Sequence, residues 1–188
     1  MARRVFNFDN PDRFVAGTVG QPGNRTFYLQ AREGDRIVSV ALEKVQVTLL
    51  AERLNQLLAE VRARGASVPE EPFPAEVDAA PLDEPMNEAF RVGTMAIVWD
   101  GEEESIVVEA RAMTEDDESP ESALEEDEDD DEEDESDVVR VSLTPRKALA
   151  FAKRALDVVA AGRPPCPFCG QPLNPEGHIC ARRNGFMH

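Results

Sequence analysis

All three cysteines of the 188-residue chain fall between positions 166 and 180, and one of its two histidines lies among them. The run reads Cys166-Pro-Phe-Cys169-Gly170, then seven residues, then His178-Ile-Cys180. Cys166 and Cys169 have the spacing of a metal knuckle, and Gly170 frees the backbone to wrap its amides around the sulfurs. His178 and Cys180 are two residues apart, so on an extended segment both side chains point the same way. Three thiolates and one imidazole complete a tetrahedral shell, the donor set of a structural zinc site with no open position. The alternative is a redox Cys-x-x-Cys pair beside a stray third cysteine. That motif normally opens a helix in a βαβ setting, whereas Gly, Pro and Asn crowd this segment. The spacing therefore predicts structural zinc held by Cys166, Cys169, His178 and Cys180.

The rest of the chain offers little reactive chemistry. The second histidine is His188, the last residue, and no Ser or Cys nucleophile has a histidine near it in sequence. No catalytic residue and no organic cofactor site is assigned. The segment Gly17-Thr-Val-Gly20-Gln-Pro-Gly23 invites a phosphate-loop reading, but it lacks the Gly-Lys-Ser/Thr ending and no helix follows. A hairpin turn is the expectation there. Trp99 and Tyr28 are expected to pack in the core.

The elements that must carry these residues come in two similar series. Phe14-Val-Ala-Gly-Thr-Val19 resembles Phe90-Arg-Val-Gly-Thr-Met95, Tyr28–Arg32 resembles Val107–Arg111, and Val38–Leu42 resembles Val139–Leu143. In both series the order is strand, strand, strand, helix. Strands are predicted at about 13–19, 25–33 and 36–42, then 89–99, 105–113 and 137–143. The first helix carries Leu49, Leu50, Leu54, Leu57, Leu58 and Val61 on one face and stops before Gly65. The second starts with Thr144 as N-cap and Pro145 at its first position, and shows Leu149, Ala152, Leu156 and Val159. The predicted class is α+β: two βββα repeats with antiparallel sheets, then a C-terminal zinc knuckle. The divisions are 1–65 for the first repeat, 66–88 for a Pro-rich acidic linker, 89–162 for the second repeat and 163–188 for the knuckle tail.

The formal charge of −18 is unevenly spread. Residues 114–137 hold 17 acids and no Lys or Arg, which leaves 21 acids against 20 bases elsewhere. That stretch is expected to be a disordered insert at a hairpin tip, since so many carboxylates repel one another and bury no core. Residues 140–188 carry eight bases against two acids, so the insert is expected to mask Lys147, Lys153, Arg154, Arg182 and Arg183. No apolar run approaches the ~20 residues of a membrane helix. The basic N-terminus has no apolar stretch behind it, so no secretory signal is read. Thiols gathered in one metal site suit a reducing compartment, and a cytoplasmic location is expected.

Two end motifs carry a resemblance. The segment Asp12–Gly20 with Pro22-Gly23 and Arg25–Ala31, and the tail Cys166-Pro-Phe-Cys-Gly…Gly-His-x-Cys180…Asn184-Gly185, resemble an actinobacterial family of unknown function often labelled a putative repeat protein. The resemblance spans essentially the whole chain and implies no activity. It implies association with phosphate-metabolism or signalling proteins, because such families resemble parts of a gene trio with a phosphatidylinositol-kinase-like and a histidine-phosphatase-like protein.

The functional expectation is a non-enzymatic binding or adaptor protein with structural zinc and a protein partner. The alternative is an enzyme of phosphate-ester chemistry, with a cleft between the repeats lined by Asp12, Arg13, Arg25 or Arg32. Nucleic-acid binding ranks third, disfavoured by the acidic insert, and no membrane partner is expected.

Overall fold

The computed structural model describes residues 2–115, 117, 124–125, 135–173, 177–180 and 182. The expected disorder of most of the acidic run, and any role of Arg183 or His188, lie outside the described residues. The elements in chain order are β1 (Val5–Phe8), β2 (Arg13–Gln21), β3 (Asn24–Glu33), β4 (Arg36–Leu42) and α1 (Lys44–Ala63). A 3-10 turn at Pro74–Glu76 interrupts the connector. Then come β5 (Glu88–Asp100), β6 (Ser105–Ala112), β7 (Leu124–Glu125), β8 (Val138–Leu143) and α2 (Pro145–Ala160). Among the described residues no helix is long and apolar enough to cross a membrane.

The protein is α+β, but its strands form one mixed sheet rather than separate antiparallel ones. The order is β1-β8-β6-β5-β4-β3-β2, with β7 paired to β5 off this path. Strands β2, β3 and β4 form an antiparallel meander, and β5, β6 and β8 form another. The parallel contact of β4 with β5, through Ser39↔Glu88 and Ala41↔Arg91, joins the two. Strand β1, which the sequence reading passed over, runs parallel to β8. Its four residues are too short for a period-two pattern to stand out, and partner strand and clamp hold it in place. Arg4 donates to the Asp137 carboxylate, and Val138 N–H donates to the Arg4 carbonyl at 2.9 Å.

Chain connectivity forces this sheet to roll up. β1 and β2 occupy opposite edges, yet only Asp9–Asp12 separate them. In a flat seven-stranded sheet the edges would lie about 29 Å apart at ~4.8 Å per strand spacing. Five Cα steps from Phe8 to Arg13 reach only about 17 Å. The edges therefore turn toward each other, and Val38 and Val40 of β4 come to line the same interior gap as Val108 of β6 and Val139 and Val141 of β8. Arg36 donates to the Asn7 carbonyl and lies over the Phe8 ring, closing one end.

The helices complete the core. Val47, Leu50, Ala51, Leu54, Leu58 and Val61 of α1 are buried, close to the predicted stripe. From α2, Phe151 stacks on Phe14 with ring centroids 4.5 Å apart. Two buried polar side chains mend breaks in the ladder. The register of β5 slips between Val92 and Met95, and Gln46 donates to the Val92 and Gly93 carbonyls at 3.2 and 3.1 Å. Edge strand β2 leaves the Ala16 carbonyl open, and Arg154 donates to it at 2.8 Å. Each would otherwise be a buried polar group without a partner, a costly omission.

The connector is a strap rather than a free tether. It crosses the outer face of β2–β4, where Gln30 donates to the Asp83 carbonyl at 3.0 Å and accepts from the Asp83 amide at 2.7 Å. Leu82 presses on Gly17, where any β-carbon would stand 2.6 Å from its Cγ. Prolines hide such a segment from periodicity, because its register is set by the sheet beneath it.

Within the acidic run, the described Leu124–Glu125 form β7, and Leu124 packs partly buried against the core. The proposed basic face is also not one surface. Arg154 is 7% exposed and bonded to Ala16 and Asp78, Lys147 donates to the Pro11 carbonyl, and Lys153 pairs with Asp157. Three of the five cations named for masking are thus engaged within the fold. Helical spacing placed them together in sequence, but α2 turns Arg154 inward.

Candidate metal centre

Past the end of α2, Pro164 and Pro165 stop any helix, and the chain doubles back on itself. Pro165 pairs with Pro172 as an antiparallel bridge, Cys166 N–H donates to the Gln171 carbonyl at 2.7 Å, and Leu173 N–H to the Pro164 carbonyl at 2.8 Å. The loop between is closed by Gly170 N–H donating to the Cys166 carbonyl at 2.8 Å. Gly170 sits at φ +75°, a left-handed conformation that side chains disfavour, which explains glycine there. The amide of Phe168 points at Cys166 Sγ at 3.5 Å, so the backbone supports negative charge on the sulfur.

Onto this hairpin His178 and Cys180 bring the second pair of donors. The ligand atoms of Cys166, Cys169, His178 and Cys180 all lie within 4.8 Å of one another. Cys166 Sγ is 3.9 Å from Cys180 Sγ, and Cys169 Sγ is 3.2 Å from His178 Nε2. A disulfide needs about 2.05 Å between sulfurs. Two thiolates on one tetrahedral ion, each at about 2.3 Å, stand about 3.8 Å apart. The cluster therefore fits a shared metal ion and not a cystine. Cys166 and Cys180 are buried, and all three cysteines are free.

The thiols differ in acidity. Burial opposes the Cys166 thiolate, but the amides of Cys169 and Phe168 and the neighbouring thiols outweigh it and bring its pKa below the ordinary thiol value. Cys169 moves the other way. The Gln171 amide favours its thiolate, yet burial and the adjacent Cys166 and Cys180 sulfurs raise its pKa. A cation among them would remove that mutual repulsion and expel the remaining protons.

The arginines expected to line one cleft are dispersed. Asp12 and Arg13 line a cavity of about 410 Å³ between β2, α2 and the strap, with Asp78 and Arg154. Arg25 lies in a separate groove, donating to the Val158 and Ala161 carbonyls at 3.2 and 3.1 Å. Arg32 is in neither lining and pairs with Asp83. In the first cavity Asp78 is the hub that sequence reading missed. It accepts from Arg13 at 2.6 and 2.9 Å and from Arg154 at 3.0 Å. The Arg13 hydrogen bonds hold its carboxyl below the usual carboxylate range, against the effect of burial. Such a group is a poor proton acceptor near neutrality. Nothing local marks Asp78, because its partners lie 65 and 76 positions away.

Fold and site thus define, among the described residues, an α+β protein with a single mixed sheet, two helices and a candidate Cys₃His metal centre near the C-terminus. The chain belongs to a family described as protein of unknown function, DUF3090, whose family model matches residues 6–180 and so includes all four candidate ligands. No curated protein and no solved structure matches the chain.

Proposed function

We propose that this is a non-enzymatic binding protein of adaptor type, cytoplasmic and partnered by another protein, whose tail is folded around a structural zinc ion. The observation that carries the zinc reading is the closed donor set: three sulfurs and an imidazole within 4.8 Å leave no position for substrate or water. Three soft donors select zinc over hard cations. Support for binding over catalysis comes from the cavity beside Asp78, whose carboxylates are engaged: Asp78 by Arg13, Glu76 by Arg146 and Asp12 by the Gly34 amide. Asp78, whose carboxyl the Arg13 hydrogen bonds hold below the usual carboxylate range, has little proton affinity to lend.

The repeat belongs to the same proposal. Two meanders, each followed by a helix, support a duplicated βββα unit, and superposition of 13–64 on 89–162 without 114–137 tests it by strand order and helix side. The second functional reading, phosphate-ester chemistry, is favoured by Asp12 and Arg13 sharing one cavity. The test of the zinc reading is elemental analysis of protein purified without chelator, together with thiol titration. One zinc per chain and three protected thiols are expected, and metal-free protein with three freely titrating thiols would refute it. Capture of partners from native lysate with zinc retained then separates adaptor from enzyme: a stoichiometric protein complex supports the first, and phosphate release from a phosphate ester the second.

A further inference from the structure

The cavity of about 410 Å³ between β2, α2 and the strap holds two charges that the ion pairs around it leave aside. Its lining has four cations and three carboxylates, a net of 4 − 3 = +1. Each of its arginines has a carboxylate partner: Arg13 and Arg154 share Asp78, and Arg146 holds Glu76. Lys147 and Asp12 differ. Among the described residues their side chains meet only backbone, Lys147 donating to the Pro11 carbonyl at 2.9 Å and Asp12 accepting from the Gly34 amide at 2.6 Å. An ammonium has three donors and a carboxylate two oxygens, so each keeps hydrogen-bonding capacity. Pro11 and Asp12 are consecutive, which sets the ammonium and the carboxylate within about 10 Å of each other. Much of the remaining wall is apolar: Val15, Leu143 and Ala150, with Phe14 stacked on Phe151 at 4.5 Å between centroids.

We propose that this cavity binds a small zwitterion with an apolar body, an α-amino acid carrying an aromatic or aliphatic side chain, which gives the binding reading above a ligand class and rests on it. The ligand carboxylate faces Lys147, its ammonium faces Asp12, and its side chain lies against the wall of Phe14 and Phe151. With a hydrogen bond of about 2.8 Å at each end, the two charged groups on one α-carbon span a gap of this order. A ligand of two or more negative charges would find a single cation without a carboxylate partner, and Asp12 beside it. An uncharged apolar ligand would strip water from Lys147 and Asp12 and offer neither a partner, which is costly. The volume lies within the ~300–1,000 Å³ of small-molecule sites.

The test uses the full-length protein in calorimetric titration with phenylalanine, leucine, glycine, N-acetylphenylalanine and phenylalaninamide. One site is expected for phenylalanine or leucine. Glycine, which lacks the apolar body, and the two blocked forms, which lack one charge each, should bind about tenfold more weakly or worse. Asp12 and Lys147 are both exposed, so Asp12→Asn and Lys147→Gln leave the core intact. Each should weaken phenylalanine by about tenfold. Lys147→Gln should not weaken phenylalaninamide further, and Asp12→Asn should not weaken N-acetylphenylalanine, because the partner charge is already missing. Lys153→Ala removes a cation of the same helix from a surface pair and should leave affinity unchanged. Absence of binding at millimolar phenylalanine and leucine overturns the site, as does equal weakening of intact and blocked forms by either substitution, the mark of a merely structural role. Tighter binding of inorganic phosphate, sensitive to the same substitutions, also overturns it. Phenylalanine recovered after titration should be chemically unchanged. Its conversion would support the ligand class and remove the non-enzymatic reading, whereas absence of binding removes only the ligand class and leaves the adaptor reading to capture from lysate.

Discussion

Asp78→Asn preserves the shape of the side chain but takes away the charge that two sequestered arginines share. Arg13 and Arg154 side chains are 9% and 8% exposed, and Asp78 itself 30%. The substitution keeps one oxygen that can still accept from Arg13 and Arg154, but it replaces the oxygen that accepts from Arg13 Nε at 2.6 Å and turns an amide donor toward that guanidinium donor. Some compensation survives. Arg13 keeps Asp83 at 3.1 Å and the Ala80 and Pro81 carbonyls, while Arg154 keeps the Ala16 and position-78 carbonyls. Breaking one side of a fully buried pair costs about 3–5 kcal/mol. Solvent at Asp78 reduces this toward about 2–3 kcal/mol. For a chain of this size, each kcal/mol lowers Tm by about 2–4 °C, so a drop of roughly 5–10 °C is expected by calorimetry. The pH dependence has a definite sign. Asp78 has a folded pKa below its unfolded value, so its contribution is present above the unfolded pKa and lost as pH falls through the folded one. The gap between parent and variant should hold from neutrality to about pH 4 and narrow below it. A loss under about 1 kcal/mol, or a gap unchanged down to the lowest pH at which both fold, refutes the clamp as the source of stability.

Gly17→Ala should cost about 1–3 kcal/mol, because Leu82 must retreat while Asp83 stays bonded to Gln30; adding Leu82→Ala should restore part of the loss in a denaturant titration. Cys169→Ser should abolish stoichiometric zinc retention and raise amide exchange in 164–180, leaving exchange in α1 near parent rates. Zinc affinity should also fall with acidification as thiolates reprotonate, which a competition titration across pH reads directly. Deleting 115–136 should lower stability by about 1 kcal/mol, through loss of the Leu124 contact, since Arg111↔Val138 pairing leaves only a tight turn to close. A melting curve far below the parent would show that the acidic run carries more of the fold.

Local rules made the helices and most strands legible. Helix α1 shows its apolar spacing in sequence, and α2 announces its start with Thr144, whose side chain accepts from Lys147 N–H at 3.3 Å, and Pro145. Cysteine spacing picked out Cys166, Cys169, His178 and Cys180, because a knuckle is built from a short segment and needs no distant partner. Strand alternation distinguishes Phe27, Leu29 and Ala31 from the residues between them, but it does not say that the other face is covered. Tertiary structure alone decided that Gln30 would be buried under Asp83 and that Arg154 would serve an edge strand. It also decided that β4 and β5 pair side by side, and that Lys44, Arg91 and Arg163 share one groove with Arg25. These arrangements depend on contacts between residues tens of positions apart, with no periodicity linking them. The physical reason is connectivity: with four residues between β1 and β2, the sheet had to roll, and the rolling chose which charges meet.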